Sequence, residues 1–251
     1  MKKTGLVLSG GGARGLVHVG VLKALEELGI RPNAISGTSA GALVGGLYAS
    51  GLTPNEIFDA IENQQFLSFS NFNFLGNGFF KAKTLIDFVE KNLRCKTFEE
   101  LKIQLFVTGT DLDTGLCDIF HTGNLSLPIA ASAAVPVMFE PVEINGHNYV
   151  DGGILNNFPV ETLSQTHDFI IGSDVSQWPL NFTNWSKTTI IQRSLQLAIA
   201  SGQESKKQAC HVLIAPVVVH YQPFSKGMNK ELVEIGYKET MLKNEALSAA
   251  L

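Results

Sequence analysis

Cysteine, surplus positive charge and long apolar runs are all scarce in this chain of 251 residues. Its three cysteines, Cys95, Cys117 and Cys210, are odd in number, widely spaced and outside any C-x-x-C pair, which argues against a disulfide framework and a zinc site. A reducing, cytoplasmic compartment fits that usage. Lysine and arginine total 19 against 23 acidic residues, a formal net charge of −4, and no block of like charge stands out. Nucleic acid is excluded as a partner, because phosphate backbones demand a broad basic surface. No uninterrupted apolar stretch reaches membrane-spanning length. The apolar run after Met1-Lys2-Lys3 ends at Ser9-Gly10-Gly11-Gly12, too soon for the core of a secretory signal. Internal repeats and long linkers are also missing. With 45% hydrophobic and 17% charged residues, the chain reads as one domain over 1–251 with a single buried core.

Glycine punctuates what is present. Gly5 to Ser9 is a short apolar run that stops at a glycine cluster, and Ala13 to Leu28 then carries apolar residues at Leu16, Val19, Leu22 and Leu25. This predicts strand, turn and helix, with Gly29 ending the helix. Ala34-Ile35-Ser36 predicts a second strand, followed by a second turn and a helix through Tyr48. Thr53-Pro54-Asn55-Glu56 combines an N-cap, a first-turn proline and a capping-box glutamate, and Thr97-Phe98-Glu99-Glu100 repeats the signal. Further strands are expected at Ile103 to Thr110, Cys117 to His121, Phe169 to Asp174 and Val212 to Ala215. Asn145-Gly146 marks a hairpin between Val142-Ile144 and Asn148-Val150. In the C-terminal helical segment, about 228–250, Val233, Tyr237 and Met241 form a stripe suited to packing on the core. Strands alternating with helices indicate an α/β fold whose site lies at the carboxyl edge of a mainly parallel sheet.

Two glycine turns carry the chemistry. Gly37-x-Ser39-x-Gly41 sits between a strand and a helix, where a tight turn lifts a serine hydroxyl at the helix N-terminus. The bland reading is a turn serine that caps the helix. Gly10-Gly11-Gly12-Ala13-Arg14-Gly15 formally matches a dinucleotide fingerprint, yet the second strand ends in Ile35-Ser36-Gly37 where a ribose-binding acid belongs. The same turn can aim backbone N–H groups at the oxyanion of a tetrahedral intermediate. Of six histidines none sits in a convincing catalytic setting: His18 reads as a packed or surface residue and His147 as a solvated hairpin residue. Asp151 follows the strand Asn148-Tyr149-Val150 and precedes Gly152-Gly153, so it presents a carboxylate at a strand end. Its bland reading is a turn aspartate bonding its own backbone.

Gly10 to Gly15, Gly37 to Gly41, Ala131-Ser132-Ala133-Ala134-Val135-Pro136 and Asp151-Gly152-Gly153, in that order, resemble the blocks of patatin-like phospholipases. Asn157-Phe158-Pro159 also resembles the family's continuation, so the likeness covers about Gly5 to Pro159. It implies a three-layer α/β/α fold with a mainly parallel central sheet and a Ser-Asp dyad: Ser39 as nucleophile and Asp151 as its proton acceptor. Gly10, Gly11 and Gly12 match the oxyanion-hole loop, Arg14 the basic residue that holds or polarises it, and Gly15, Gly37, Gly41, Gly152 and Gly153 the supporting glycines. The expected activity is cleavage of fatty acyl esters of phospholipids or lysophospholipids through an acyl-enzyme. No organic cofactor is implied, and no calcium-ligand cluster is visible along the sequence. Two rivals stand beside this reading: an acyltransferase or thioesterase with the same acyl-enzyme, and a non-hydrolytic nucleotide-binding module using Gly10 to Gly15. Phe66 to Phe80 holds six of the sixteen phenylalanines and reads either as a lid or acyl-chain wall or as a cap packed on the core. Trp178 and Trp185 leave open a transient, peripheral contact with a membrane surface.

Overall fold

The computed structural model describes residues 2–62, 80–136, 138–177, 186–200, 202–221 and 229–251. Phe66 to Phe79, Trp178 and Trp185 lie outside the described residues. Strand β1 (Thr4–Leu8) is buried throughout. Alternate side chains of a strand point to opposite faces. Leu6 and Leu8 accordingly enter the main core, while Val7 joins Ala34, Phe158, Val160, Leu163 and Ile170 on the other side. The glycine cluster forms a single 3-10 turn over Gly12–Gly15 before α1 (Leu16–Glu27) begins. Gly29, at φ +74°, takes the left-handed conformation that stops the helix. Strand β2 (Ala34–Gly37) and α2 (Ala40–Ala49) repeat the unit.

The two cap signals part company. Glu56 accepts the Thr53 N–H at 2.8 Å, the Thr53 hydroxyl accepts the Glu56 N–H at 3.3 Å, and α3 (Pro54–Glu62) follows. Thr97 makes no side-chain cap, and only a 3-10 turn over Phe98–Glu100 forms. Glu99 turns to the Gly123 N–H at 2.9 Å, and the strand that starts at Gln104 leaves no length for a helix. Helices α4 (Ala82–Asn92) and α5 (Ser126–Ser132) carried no clear sequence signal.

Among the described residues eight strands form one mixed sheet, hydrogen-bonded as β5-β6-β3-β2-β1-β7-β8 with β4 on β3. Those still to be placed are β3 (Gln104–Asp111), β4 (Cys117–Phe120), β5 (Val142–Ile144), β6 (His147–Asp151), β7 (Phe169–Ser173) and β8 (Val212–Ile214). The pairs β1–β2, β2–β3, β1–β7 and β7–β8 are parallel, and the three pairs involving β4, β5 and β6 are antiparallel. Asn145 and Gly146 both have positive φ, 53° and 84°, as a tight two-residue hairpin requires. Helices cover both sheet faces, giving three layers: α1 and α2 on the main core, α6 (Glu161–Ser164) on the smaller one. Helices α7 (Lys187–Ala200) and α8 (Gln203–Lys207) lie between β7 and β8 in the chain.

Register along β3 decides where the site forms. Val107 faces Gly37 on one edge and Phe120 on the other, while Gly109 faces Asp118 and Asp151. A strand has two edges and β4 occupies one of them, so β2 and β6 share the other. Because β2 runs parallel to β3 and β6 antiparallel, their carboxyl ends approach each other head to head, Gly37 opposite Val107 and Asp151 opposite Gly109 with only Thr108 between.

The C-terminal helix α9 (Asn229–Met241) packs on α1, as its amphipathic pattern suggests, but its buried stripe is shifted. Leu232, Gly236 and Thr240 are the buried residues, with Val233, Tyr237 and Met241 half-buried beside them and Val233 packed on the core. Closest approach is the cause: a Cβ at Gly236 would collide with Val17 O, and one at Gly20 would sit 2.7 Å from Tyr237 N. The backbones touch along glycines, so the larger side chains flank the contact. Helix α10 (Asn244–Leu247) and a 3-10 turn end the chain. Among the described residues no helix is long and apolar enough to cross a membrane.

Candidate active site

Ser39 stands at the N-terminus of α2, one residue beyond the strand-end pair Gly37-Thr38, with φ 53° and ψ −120°. A non-glycine residue there is strained, by about 1–3 kcal/mol, and persists only where its surroundings fix it. The flanking glycines make the turn sterically feasible: a Cβ at Gly37 would lie 2.6 Å from Gly41 O, and one at Gly41 would meet Leu8 O. Thr38 locks the turn from beneath, donating to Asn156 O at 2.8 Å and lying 2.7 Å from Thr108 Oγ1.

The Ser39 hydroxyl donates to Asp151 Oδ2 at 2.6 Å, and both residues are buried. The other carboxylate oxygen, Oδ1, accepts the Gly153 N–H at 2.7 Å. Both readings of Asp151 therefore coexist, one on each oxygen. A Cβ at Gly152 would collide with Thr108, and one at Gly153 would lie 2.9 Å from Asp151 Oδ1, so the pair of glycines lets the turn fold tightly under the carboxylate. Burial lifts the Asp151 pKa from 3.8 to about 6, with the bonds from Ser39 and Gly153 pulling the other way.

The glycine loop lies against this pair. A Cβ at Gly10 would stand 3.1 Å from Ser39 Cβ, and one at Gly15 would meet Ala40. Gly10 donates its N–H to Asn157 O at 3.3 Å, whereas the Gly11 and Gly12 amides have no backbone acceptor among the described residues. Arg14 is fully buried; its Nε donates to Gly11 O at 3.3 Å and its Nη1 to Gln177 O. Burial draws the Arg14 pKa down to about 10, opposed by Asp174, so the guanidinium stays cationic at neutral pH. Burial pushes Asp174 up, but bonds from Lys207, 2.7 Å away, and from Ser176 more than offset this and hold it below its ordinary value.

His18 is buried and bonds to neither Ser39 nor Asp151. Its Nδ1 lies 2.8 Å from Ser173 Oγ and its Nε2 2.9 Å from Ser9 O. Burial pushes its pKa down to about 4, so the ring is neutral, Nε2–H donating to Ser9 O and Nδ1 accepting from Ser173. His147 is half exposed and bonded to Asp111 at 2.8 Å. With Asp113 these two form a group whose ligand atoms lie within 4.8 Å of one another, a cluster that the linear sequence conceals. Asp111 Oδ1 accepts the Asp113 and Thr114 amides, and Asp113 Oδ2 accepts the Asn148 amide.

Two further contacts hold the backbones of Ser39 and Asp151, and no sequence motif signals them. Ser39 donates its N–H to Ser132 Oγ at 2.9 Å, and Asp151 donates its N–H to Ala134 O at 2.9 Å. Both acceptors lie in the block Ala131 to Pro136, whose composition signals small buried residues but not their partners. At the far end of the phenylalanine-rich segment, Phe80 pairs with Phe139, ring centroids 5.6 Å apart.

A patatin-like phospholipase family model matches residues 6–164, the stretch that contains the glycine loop, the serine turn and Asp151. The chain belongs to the patatin-like phospholipase family. Relatives of this patatin-like chain include lysophospholipase NTE1 of Kluyveromyces lactis, 27% identical over 93% of this chain and 18% of the relative. The neuropathy target esterase sws of Drosophila melanogaster is 27% identical over 93% of this chain and 19% of its own length. An uncharacterized NTE family protein of Mycobacterium tuberculosis is 33% identical over 64% of this chain and 46% of the relative. The chain thus spans between about a fifth and half the length of these relatives. Among solved structures, VipD from Legionella pneumophila has the same fold, with a TM-score of 0.59 at 16% identity over 98% of this chain and 67% of VipD.

Proposed function

We propose that this patatin-like chain hydrolyses fatty acyl esters of phospholipids or lysophospholipids through a covalent intermediate on Ser39, with Asp151 as the sole proton acceptor. The observation that carries the reading is the 2.6 Å bond between two buried side chains, Ser39 Oγ and Asp151 Oδ2. No histidine among the described residues bonds to either. Family membership and the lysophospholipase and esterase names of the relatives support the substrate class.

In the first half-reaction Ser39 Oγ forms a bond to the acyl carbon while its proton passes to Asp151 Oδ2. The carbonyl oxygen becomes an oxyanion held by the amides of the glycine loop. Gly10 spends its N–H on Asn157, so Gly11 and Gly12 are the donors. Arg14 fixes Gly11 O, and because N–H and C=O point oppositely across a trans peptide, the Gly12 N–H is directed away from Arg14. Collapse of the intermediate breaks the ester C–O bond, and Asp151 returns the proton to the departing alkoxide. Water then attacks the acyl-enzyme by the same route, releasing fatty acid and restoring Ser39. A carboxyl with a pKa near 6 serves as acceptor and donor better than one near 4, since it lies closer to neutral pH.

The test is fatty acid release from lysophosphatidylcholine and from a short-chain ester, by wild type and Ser39→Ala. Stoichiometric release by wild type and none by the variant is expected. Release that requires an added alcohol or thiol acceptor would replace hydrolysis by acyl transfer. A folded wild type inert on both substrates, yet stabilised against heat by NAD or ATP, would favour the nucleotide-binding alternative.

A further inference from the structure

We infer that Ser132 is a positioning residue for the nucleophile, acting through the Ser39 backbone; this rests on the reading of Ser39 and Asp151 as the reacting pair. The Ser39 hydroxyl is committed to Asp151, so it cannot cap α2, and that helix has no side-chain cap. As the residue that precedes α2, Ser39 has no intrahelical acceptor for its N–H. A buried donor left in that position would be unsatisfied. Ser132, fully buried at the last position of α5, supplies the acceptor at 2.9 Å.

Its placement follows from close packing of α5 on α2. Gly46 on α2 leaves room that Ile129 fills, since a Cβ there would collide with Ile129 Cδ1. Ile129 thereby brings the C-terminus of α5 within reach of the turn. Two residues past Ser132, Ala134 O accepts the Asp151 N–H at 2.9 Å. One stretch of three residues therefore tethers the backbone of both members of the pair, which reside 112 positions apart in the chain. The strand register brings β2 and β6 to the same place, and the Ser132–Ala134 tether sets how their last residues face each other. Because Ser132 occupies the Ser39 N–H, that amide is not an oxyanion donor.

Turnover of p-nitrophenyl butyrate and the rate of fluorophosphonate labelling test the inference. Ser132→Ala is expected to lower kcat and the labelling rate by roughly 10- to 100-fold, the scale of a misplaced reacting group. KM should stay within about twofold, because substrate contacts are untouched. The acid limb of the pH–rate profile should keep its midpoint, because Asp151 is unaltered. Ser132→Thr, which retains the hydroxyl, should recover most of the rate. Should Ser132→Ala fail to fold, Ser132→Cys fills the same volume with a weak acceptor and is expected to fold and react slowly. Ser132→Ala or Ser132→Cys turning over within twofold of wild type would overturn the inference, as would a folded Ser132→Thr no faster than the alanine variant. A wild type that neither labels nor turns over would instead overturn the reading of the pair itself.

Discussion

Replacing Asp151 by asparagine should abolish turnover and at the same time stabilise the protein. The carboxyl is buried and its pKa is lifted from 3.8 to about 6. Once ionised, such a group costs the folded state about 3 kcal/mol, at about 1.4 kcal/mol for each tenfold change in proton affinity. The sign follows from the order of ionisation. Below pH 3.8 both states are protonated and nothing is lost; between about 4 and 6 the unfolded chain ionises first and the penalty accumulates; above 6 it is complete. Asparagine keeps an oxygen for the Gly153 N–H and carries no charge, so it removes most of this cost. At pH 8 the variant should gain about 1–3 kcal/mol, a rise of several degrees in Tm for a chain of this size. At pH 4.5 the difference should shrink to about a third of its value at pH 8. Urea melts of wild type and Asp151→Asn at pH 8 and pH 4.5 measure it. A variant no more stable than wild type at pH 8, or one whose advantage is the same at both pH values, would refute a burial-raised carboxyl.

Other outcomes follow from the same contacts. Wild-type kcat/KM should fall about tenfold per pH unit below about pH 6, as Asp151 takes up its proton, and a pH–rate profile on a neutral ester reads it directly. His18, pushed down to about 4, contributes stability that is complete above its ordinary pKa of 6.5 and drains away as the pH falls from 6.5 to 4. In wild type this loss runs opposite to the relief at Asp151; in Asp151→Asn it is unmasked, so the variant should be the more acid-sensitive of the two in urea melts over that range. Arg14→Met, which frees Gly11 O, should reduce kcat roughly 10- to 100-fold through misplacement of the loop, with KM little changed in steady-state kinetics. Gly236→Ala should destabilise by about 1–3 kcal/mol or more, because the new methyl meets Val17 O where α9 crosses α1, and thermal melting reports it.

Local features of the fold were legible and long-range ones were not. The strand–turn–helix units around Gly10–Gly15 and Gly37–Gly41 depend on neighbouring residues, as do the Thr53 capping box and the Asn145-Gly146 hairpin, so pattern alone placed them. Thr97 shows the limit: a cap signal forms no helix when the next strand begins a few residues on. In α9 the apolar pattern gave the helix but centred its contact one residue off, since a glycine that permits backbone contact carries no hydrophobic mark. Asp151 was singled out by its strand-end position and by resemblance. Its meeting with Ser39 depends on two short strands sharing one edge of β3, which no local pattern encodes. The roles of Ser132 and Ala134, and the gathering of Asp111, Asp113 and His147, were hidden for the same reason.

The most direct test of the central claim is to treat the protein with a fluorophosphonate and locate the adduct by peptide mass spectrometry. A single adduct on Ser39, formed more slowly as the pH drops below 6 and nearly absent in Asp151→Asn, is the predicted result. An adduct on another residue, or undiminished labelling of Ser39 in Asp151→Asn, would contradict a nucleophile whose only base is that carboxylate.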